Sequence, residues 1–174
     1  MFSMIDRMDV LKNSKYYLSI AFLVAQQSED PMTKIGAIIV GEDKEIRSTG
    51  YNGLPRGCNH DEDRLERPQK YLWIEHAERN AIYNAARMGI SIKDCIMFTN
   101  AIPCPDCTRA IIQSGIKVVA VHSKYVNATL EKWKDTIKIS TDMLNEAGIA
   151  LFRYDGELNC NLVGYADGKM INLN

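Results

Sequence analysis

CIMFTNAIPCPDCTRAIIQSGIKVVAVH, residues 95–122, is the stretch whose reading decides the fold. Cys95–Thr99 is a short apolar run with strand character. Pro105–Ser114 reads as a helix, with proline in its first turn, where the missing N–H costs nothing, and Gly115 closing it. Val118–His122 is a second apolar strand. A strand, a helix and a strand in immediate succession imply a parallel crossover.

The same punctuation continues outward. Downstream, Ala128–Ala147 reads as a long helix stopped by Gly148, and Ile149–Tyr154 as a last strand. Upstream, Trp73–Met88 reads as a helix ended by Gly89. Ile35–Val40 is a continuous apolar run, Glu42-Asp43-Lys44 a polar turn and Ile46–Tyr51 a second strand, so the pair reads as an antiparallel hairpin. Met4–Gln27 carries apolar residues at mixed helical spacing and reads as a first amphipathic helix, ended by Asp30-Pro31. The predicted fold is α/β: one mixed five-stranded sheet between layers of helices. Residues 1–174 are read as one domain, and 155–174, rich in Gly, Asn and Asp, receive no assignment. Asn52–Lys70 reads as a long loop, opened by Gly53, Pro55 and Gly57 and followed by the charged run Asp61–Arg64. Loops of that length inside a domain are usually functional or disordered.

The composition narrows the partners. The chain has 174 residues, 46% of them hydrophobic and 25% charged, with a formal net charge of −1. That balance lacks the basic footprint of a polynucleotide binder, while leaving room for a local pocket for one phosphate. No apolar run approaches the roughly 18 residues of a membrane span. Asp6 and Asp9 among the first apolar residues argue against a signal peptide. Five cysteines, an odd number without framework spacing, fit a reducing, cytoplasmic setting, where C-x-x-C denotes metal or redox chemistry rather than a structural disulfide.

Within the opening stretch lies Pro103-Cys104-Pro105-Asp106-Cys107, and 25 residues before it His76-Ala77-Glu78. H-x-E followed by P-C-x-x-C supplies three zinc-type ligands, His76, Cys104 and Cys107, and one carboxylate, Glu78. Cys104 and Cys107 are three apart at a helix start, so one turn brings both sulfurs to one side. The partial positive charge of a helix N-terminus favours thiolate. Three protein ligands leave a fourth tetrahedral position for catalysis, where zinc brings the pKa of water toward ~7. Glu78, beside His76 in the first helical turn, is placed as a proton shuttle rather than a fourth ligand. Two blander readings stand beside this one. The cysteines alone could form a redox pair, and a fourth ligand from Cys58, Cys95, Cys160, His60 or His122 would close a structural zinc site.

At these residues the chain resembles the cytidine deaminase superfamily, and within it the deoxycytidylate (dCMP) deaminases. The likeness extends to residues 33–40 (TKIGAIIV), 48–57 (STGYNGLPRG), 76–82 (HAERNAI) and 103–117, and runs from about residue 14 to 154. It implies a three-layer α/β/α fold and hydrolytic deamination of dCMP to dUMP and ammonia. It also implies zinc on His76, Cys104 and Cys107, with Glu78 as proton donor and acceptor. The Ala77 N–H would bond the pyrimidine carbonyl and Asn52 the sugar. Thr33 and Tyr125 join them as expected substrate contacts. Such enzymes are typically homohexamers, many activated by dCTP with Mg2+ and inhibited by dTTP. Gly50, Tyr51, Asn52, Gly53 and Lys34 would form that allosteric nucleotide site. Some phage members carry a longer insert with ligands for a second zinc; here the insert is short and offers Cys58 and His60.

Other residues are weighed singly. Lys34, Arg56, Arg64 and Arg67 are candidates for phosphate recognition, because arginine grips phosphate bidentately; each alone reads as a solvated surface charge. Trp73 and Ile74 read as core or interface, and Trp133 as core. His60 and His122 have no role assigned by sequence. Deamination of another cytosine or adenine nucleoside substrate, and a non-catalytic deaminase-like zinc protein, are the competing functions.

Overall fold

The computed structural model describes residues 7–158 and 163–172. In chain order the elements are α1 (Arg7–Ala25), β1 (Gly36–Val40), β2 (Ile46–Tyr51), α2 (Lys70–Trp73), α3 (Ala77–Met88), β3 (Ile96–Thr99), α4 (Pro105–Gln113), β4 (Val118–His122), α5 (Ser123–Glu146), β5 (Ala150–Tyr154), β6 (Val163–Ala166) and β7 (Lys169–Asn172). The first five strands form one sheet in the order β2-β1-β3-β4-β5. β1 is antiparallel to both β2 and β3, whereas β3, β4 and β5 are parallel.

Successive side chains of β1 point to opposite faces, and both faces are covered. Ala37 and Ile39, with Met97, Val119 and Val121, pack under Ala77, Ala81 and Ala85 of α3, Ile111 of α4 and Leu144 of α5. Ile38 and Val40, with Phe98 and Ala120, pack under Leu18, Ala21 and Phe22 of α1. Burial on both sides is why these strands read as unbroken apolar runs. The result is the mixed five-stranded α/β/α arrangement expected from the sequence.

Four features differ from the reading above. Helix α3 begins at Ala77, not Trp73. Glu75 exchanges backbone hydrogen bonds with Gly53 (2.9 and 3.0 Å), which holds the chain extended before the helix. The Asn52–Lys70 segment contains a 3-10 turn at Glu62–Leu65 and a cis Arg67–Pro68 bond. Helix α5 starts at Ser123, directly after β4, and is kinked at Trp133 (φ −115°, ψ 16°). The unassigned tail holds the antiparallel hairpin β6–β7. The expected start of the first helix, Met4–Asp6, lies outside the described residues.

β2 is an edge strand, and α3 covers it. Asn80 and Asn84 donate to the carbonyls of Tyr51 (2.8 Å) and Thr49 (2.7 Å), and the Ser48 hydroxyl donates to the Ala81 carbonyl (2.6 Å). The approach requires Gly50. A Cβ there would stand 2.3 Å from the Ala81 nitrogen and 2.4 Å from the Ala77 carbonyl oxygen, both backbone atoms. Replacing Gly50 by alanine is expected to destabilise the protein by about 1–3 kcal/mol, the usual cost of overpacking. Chemical denaturation measures this, and an unshifted midpoint would contradict the packing argument.

Candidate functional site

Because β2 and β3 are each antiparallel to β1, they point the same way. β3 leads into α4 at the edge where both strands end, and the bridge between Gly53, just after β2, and Glu75 brings the start of α3 to the same edge. Strand C-terminal edges are where open α/β sheets place ligands. His76 is the N-cap of α3 and Cys104 the N-cap of α4. Both have extended backbones, and neither side chain caps its own helix. They face each other instead. His76 Nδ1 lies 3.4 Å from Cys104 Sγ and 3.5 Å from Cys107 Sγ.

The three donor atoms lie within 4.8 Å of one another, and they form the one such His/Cys/Asp/Glu group of three or more among the described residues. Their spacing fits zinc. Zn–S and Zn–N bonds of about 2.3 and 2.0 Å at a tetrahedral angle place sulfur and nitrogen about 3.5 Å apart. Cys58, Cys95, His60 and His122 stand outside the group, and Cys160 lies outside the described residues. His60 Nδ1 pairs with Glu29 at 2.9 Å. A hydrogen bond from the Cys107 thiol, aided by His76, holds the Cys104 thiol well below the ordinary range. Donation to Cys104 and burial push Cys107 up, and the Cys104 bond raises His76.

Glu78 sits in the first turn of α3, 4% exposed, with Oε2 3.5 Å from Cys107 Sγ. Burial pushes its carboxyl above the usual carboxylate range. It stands beside the donor group rather than within it. Glu75 accepts the His76 N–H (2.9 Å) and the Arg79 Nε–H (2.5 Å), and Arg79 also reaches Asp106 at 3.7 Å. This chain of charges ties the first turn of α4 to that of α3.

A cleft of about 720 Å3 opens from these residues, a size common for small-molecule sites. His76, Ala77, Glu78 and Cys104 line one part, and Asp30, Thr33, Asn52, Arg67 and Lys70 another. Tyr125 and Trp133 of α5 and Asp167 of the β6–β7 turn complete the wall. Asn52 is 5% exposed. Its Oδ1 accepts the Ile35 N–H (2.7 Å), and its Nδ2 donates to the Thr33 carbonyl (2.8 Å) and to Asp30 (3.4 Å). Both donors are thus engaged, and one acceptor lone pair is left over. Tyr125 is buried, and its hydroxyl donates to the Tyr165 carbonyl at 2.8 Å.

Gly50, Tyr51, Gly53 and Lys34 stand outside the cleft lining. Gly50 packs on α3, and Tyr51 is exposed. Gly53 pairs with Glu75, and Lys34 Nζ donates to the Ser28 carbonyl at 2.5 Å. Of the four cations weighed for phosphate, Arg67 lines the cleft. Arg56 bonds Asn84, and Arg64 lies 4.1 Å over the Trp73 ring. Sequence reasoning missed Asp30, Lys70 and Asp167, and misplaced Trp133. Asp30 reads as a helix stop, yet it is buried and takes Lys70 Nζ at 2.5 Å. Trp133 reads as core, but it is 39% exposed at the α5 kink. It lines the cleft at that kink, which the sequence does not announce.

Comparison with known proteins agrees with this geometry. Residues 11–123 match the family described as the cytidine and deoxycytidylate deaminase zinc-binding region. The chain is 35% identical to the deoxycytidylate deaminase of Homo sapiens over 157 residues, covering 85% of this chain and 83% of the human one. It is 33% identical to the deoxycytidylate deaminase of Enterobacteria phage T4, covering 78% and 86%. The dCMP deaminase of cyanophage S-TIM5 superimposes with a TM-score of 0.61 at 26% identity in its apo form, over 82% of this chain and 97% of that one. The same phage enzyme in complex with dCMP and dUMP gives a TM-score of 0.56 at 25% identity, over 88% and 99%. With the fold, the His76–Cys104–Cys107 group and these likenesses together, the chain belongs to the cytidine and deoxycytidylate deaminase family.

Proposed function

We propose that the protein deaminates dCMP hydrolytically, giving dUMP and ammonia, with zinc held by His76, Cys104 and Cys107. The observation that carries the reading is a buried carboxylate, Glu78, set beside a three-donor zinc-type group on the wall of a nucleotide-sized cleft. The substrate is favoured by relatives named deoxycytidylate deaminase that align with most of this chain and by the phage neighbour in complex with dCMP and dUMP.

When bound, zinc supplies the Lewis acidity that makes water nucleophilic at neutral pH. Glu78 takes a proton from the attacking water as the C4–O bond forms and delivers it to ring N3. It then carries the second water proton to the amino group as the C4–N4 bond breaks and ammonia leaves. The Ala77 N–H, at the positive end of α3, bonds the pyrimidine carbonyl. The free lone pair of Asn52 Oδ1 accepts a sugar hydroxyl. Thr33 and Tyr125 complete the contact surface from the cleft wall.

Glu78→Gln keeps the shape and removes the shuttle, so kcat for dCMP is expected to fall by at least ~10²-fold. Near-wild-type turnover of that variant in an ultraviolet assay would sink the mechanism. Elemental analysis should find one zinc per chain and lose it in Cys104→Ser. A panel of dCMP, cytidine and tRNA separates the proposed substrate from those of other deaminases.

The reading includes a cytoplasmic homohexamer regulated by dCTP with Mg2+ as activator and dTTP as inhibitor, supported by family likeness. Gly50–Gly53 and Lys34 would hold the effector. Among the described residues no helix is long and apolar enough to cross a membrane. Sigmoidal dCMP saturation is expected to become hyperbolic with dCTP. Hyperbolic kinetics indifferent to both triphosphates would remove the regulatory part and leave the chemistry standing.

A further inference from the structure

We propose that Arg67, held in place by Asp167 of the β6–β7 turn, recognises the 5′-phosphate of the nucleotide; the proposal rests on the dCMP reading above. The cleft wall carries four carboxylates, Asp30, Glu78, Asp106 and Asp167, and two Lys/Arg side chains, Arg67 and Lys70. A doubly charged phosphate entering such a cleft needs a cation as its partner. Lys70 is spent: its side chain is 7% exposed and lies 2.5 Å from buried Asp30. Arg67 is not. Its side chain is 34% exposed, and its bond to Asp167 Oδ1 uses one of five N–H donors. The remaining donors suit the forked geometry of a phosphate.

Asp167 is a firm anchor. It occupies a tight turn with φ of 54°, followed by Gly168 at 72°. The Gly168 N–H donates to the Met32 carbonyl (2.8 Å), and the Lys34 N–H to the Tyr165 carbonyl (3.2 Å). The buried Tyr125 hydroxyl bonds that same carbonyl. The hairpin is therefore fastened to the strap before β1 and to α5. Asp167 Oδ1 also accepts Lys132 Nζ of α5. Two cations on one carboxylate leave the trio with net positive charge, so Asp167 orients the guanidinium without cancelling its attraction for an anion. A guanidinium fixed in advance loses less freedom on gripping its ligand.

The test uses the zinc-loaded protein and two ligands that are not turned over, dUMP and deoxyuridine, which differ only in the phosphate. Calorimetry should show the wild type binding dUMP at least about tenfold more tightly than deoxyuridine, the scale of hydrogen bonds to a charged group. Arg67→Ala should weaken dUMP by about tenfold or more and move deoxyuridine by less than about twofold. Arg67→Lys, which keeps the charge but not the fork, should recover only part of the loss. Asp167→Asn should raise KM for dCMP several-fold with kcat within about twofold, the split expected of a positioning residue. An unaltered dUMP-to-deoxyuridine ratio in Arg67→Ala would overturn the assignment. Tighter dUMP binding in Asp167→Asn would show the carboxylate to be a competitor and overturn the positioning role. A wild type that deaminates deoxycytidine as efficiently as dCMP would instead overturn the dCMP reading.

Discussion

The close approach of α3 to Gly50 of β2 is the constraint on which the rest depends. Backbone lies on backbone there, with no room for a Cβ. The contact sits at the first turn of the helix whose N-cap is His76 and whose second residue is Glu78. His76 and Glu78 are thus placed by a helix end pressed on the sheet, not by a loop. The opposing α4 is placed by the β3 crossover, and the Glu75–Arg79–Asp106 chain joins the two ends. Two helix N-termini facing one point give a field that favours negative charge there, and the Cys104 thiol is lowered while Cys107 is raised.

A second organising group is Asp30. Its Oδ1 accepts the N–H groups of Met32 (2.8 Å) and Thr33 (3.1 Å), and its Oδ2 takes Lys70 Nζ and Asn52 Nδ2. One buried carboxylate thus sets the strap before β1, the entry to α2 and the loop after β2. Losing one member of such a pair strands a buried charge, typically at a cost of about 3–5 kcal/mol. It also fixes the orientation of Asn52, because the amide nitrogen faces acceptors and the oxygen is left to accept. The polar half of the cleft is built on this carboxylate as the metal half is built on the two helix ends.

Much of this was legible in the chain. Apolar runs at 35–40, 95–99 and 118–122 announce strands covered on both faces, and Pro105 and Gly115 mark α4. The H-x-E and P-C-x-x-C spacings mark the donor group, because ligand type and helical periodicity are local properties. The start of α3 is not legible locally, because Trp73 and Ile74 continue the apolar pattern while a long-range pairing between Gly53 and Glu75 holds the chain extended. The tail gave no signal, because its two short strands gain their burial from α1, Tyr125 and the strap before β1 rather than from any pattern of their own.

By itself the sequence determined the fold class, the zinc-type donors and the buried carboxylate beside them, all encoded in residue type and spacing over a few turns. Tertiary structure alone decided which polar residues share the cleft with them. Asp30, Arg67, Trp133 and Asp167 come from four segments separated by tens of residues. No local periodicity relates them; the sheet register, the α5 kink and the anchored hairpin bring them to one wall.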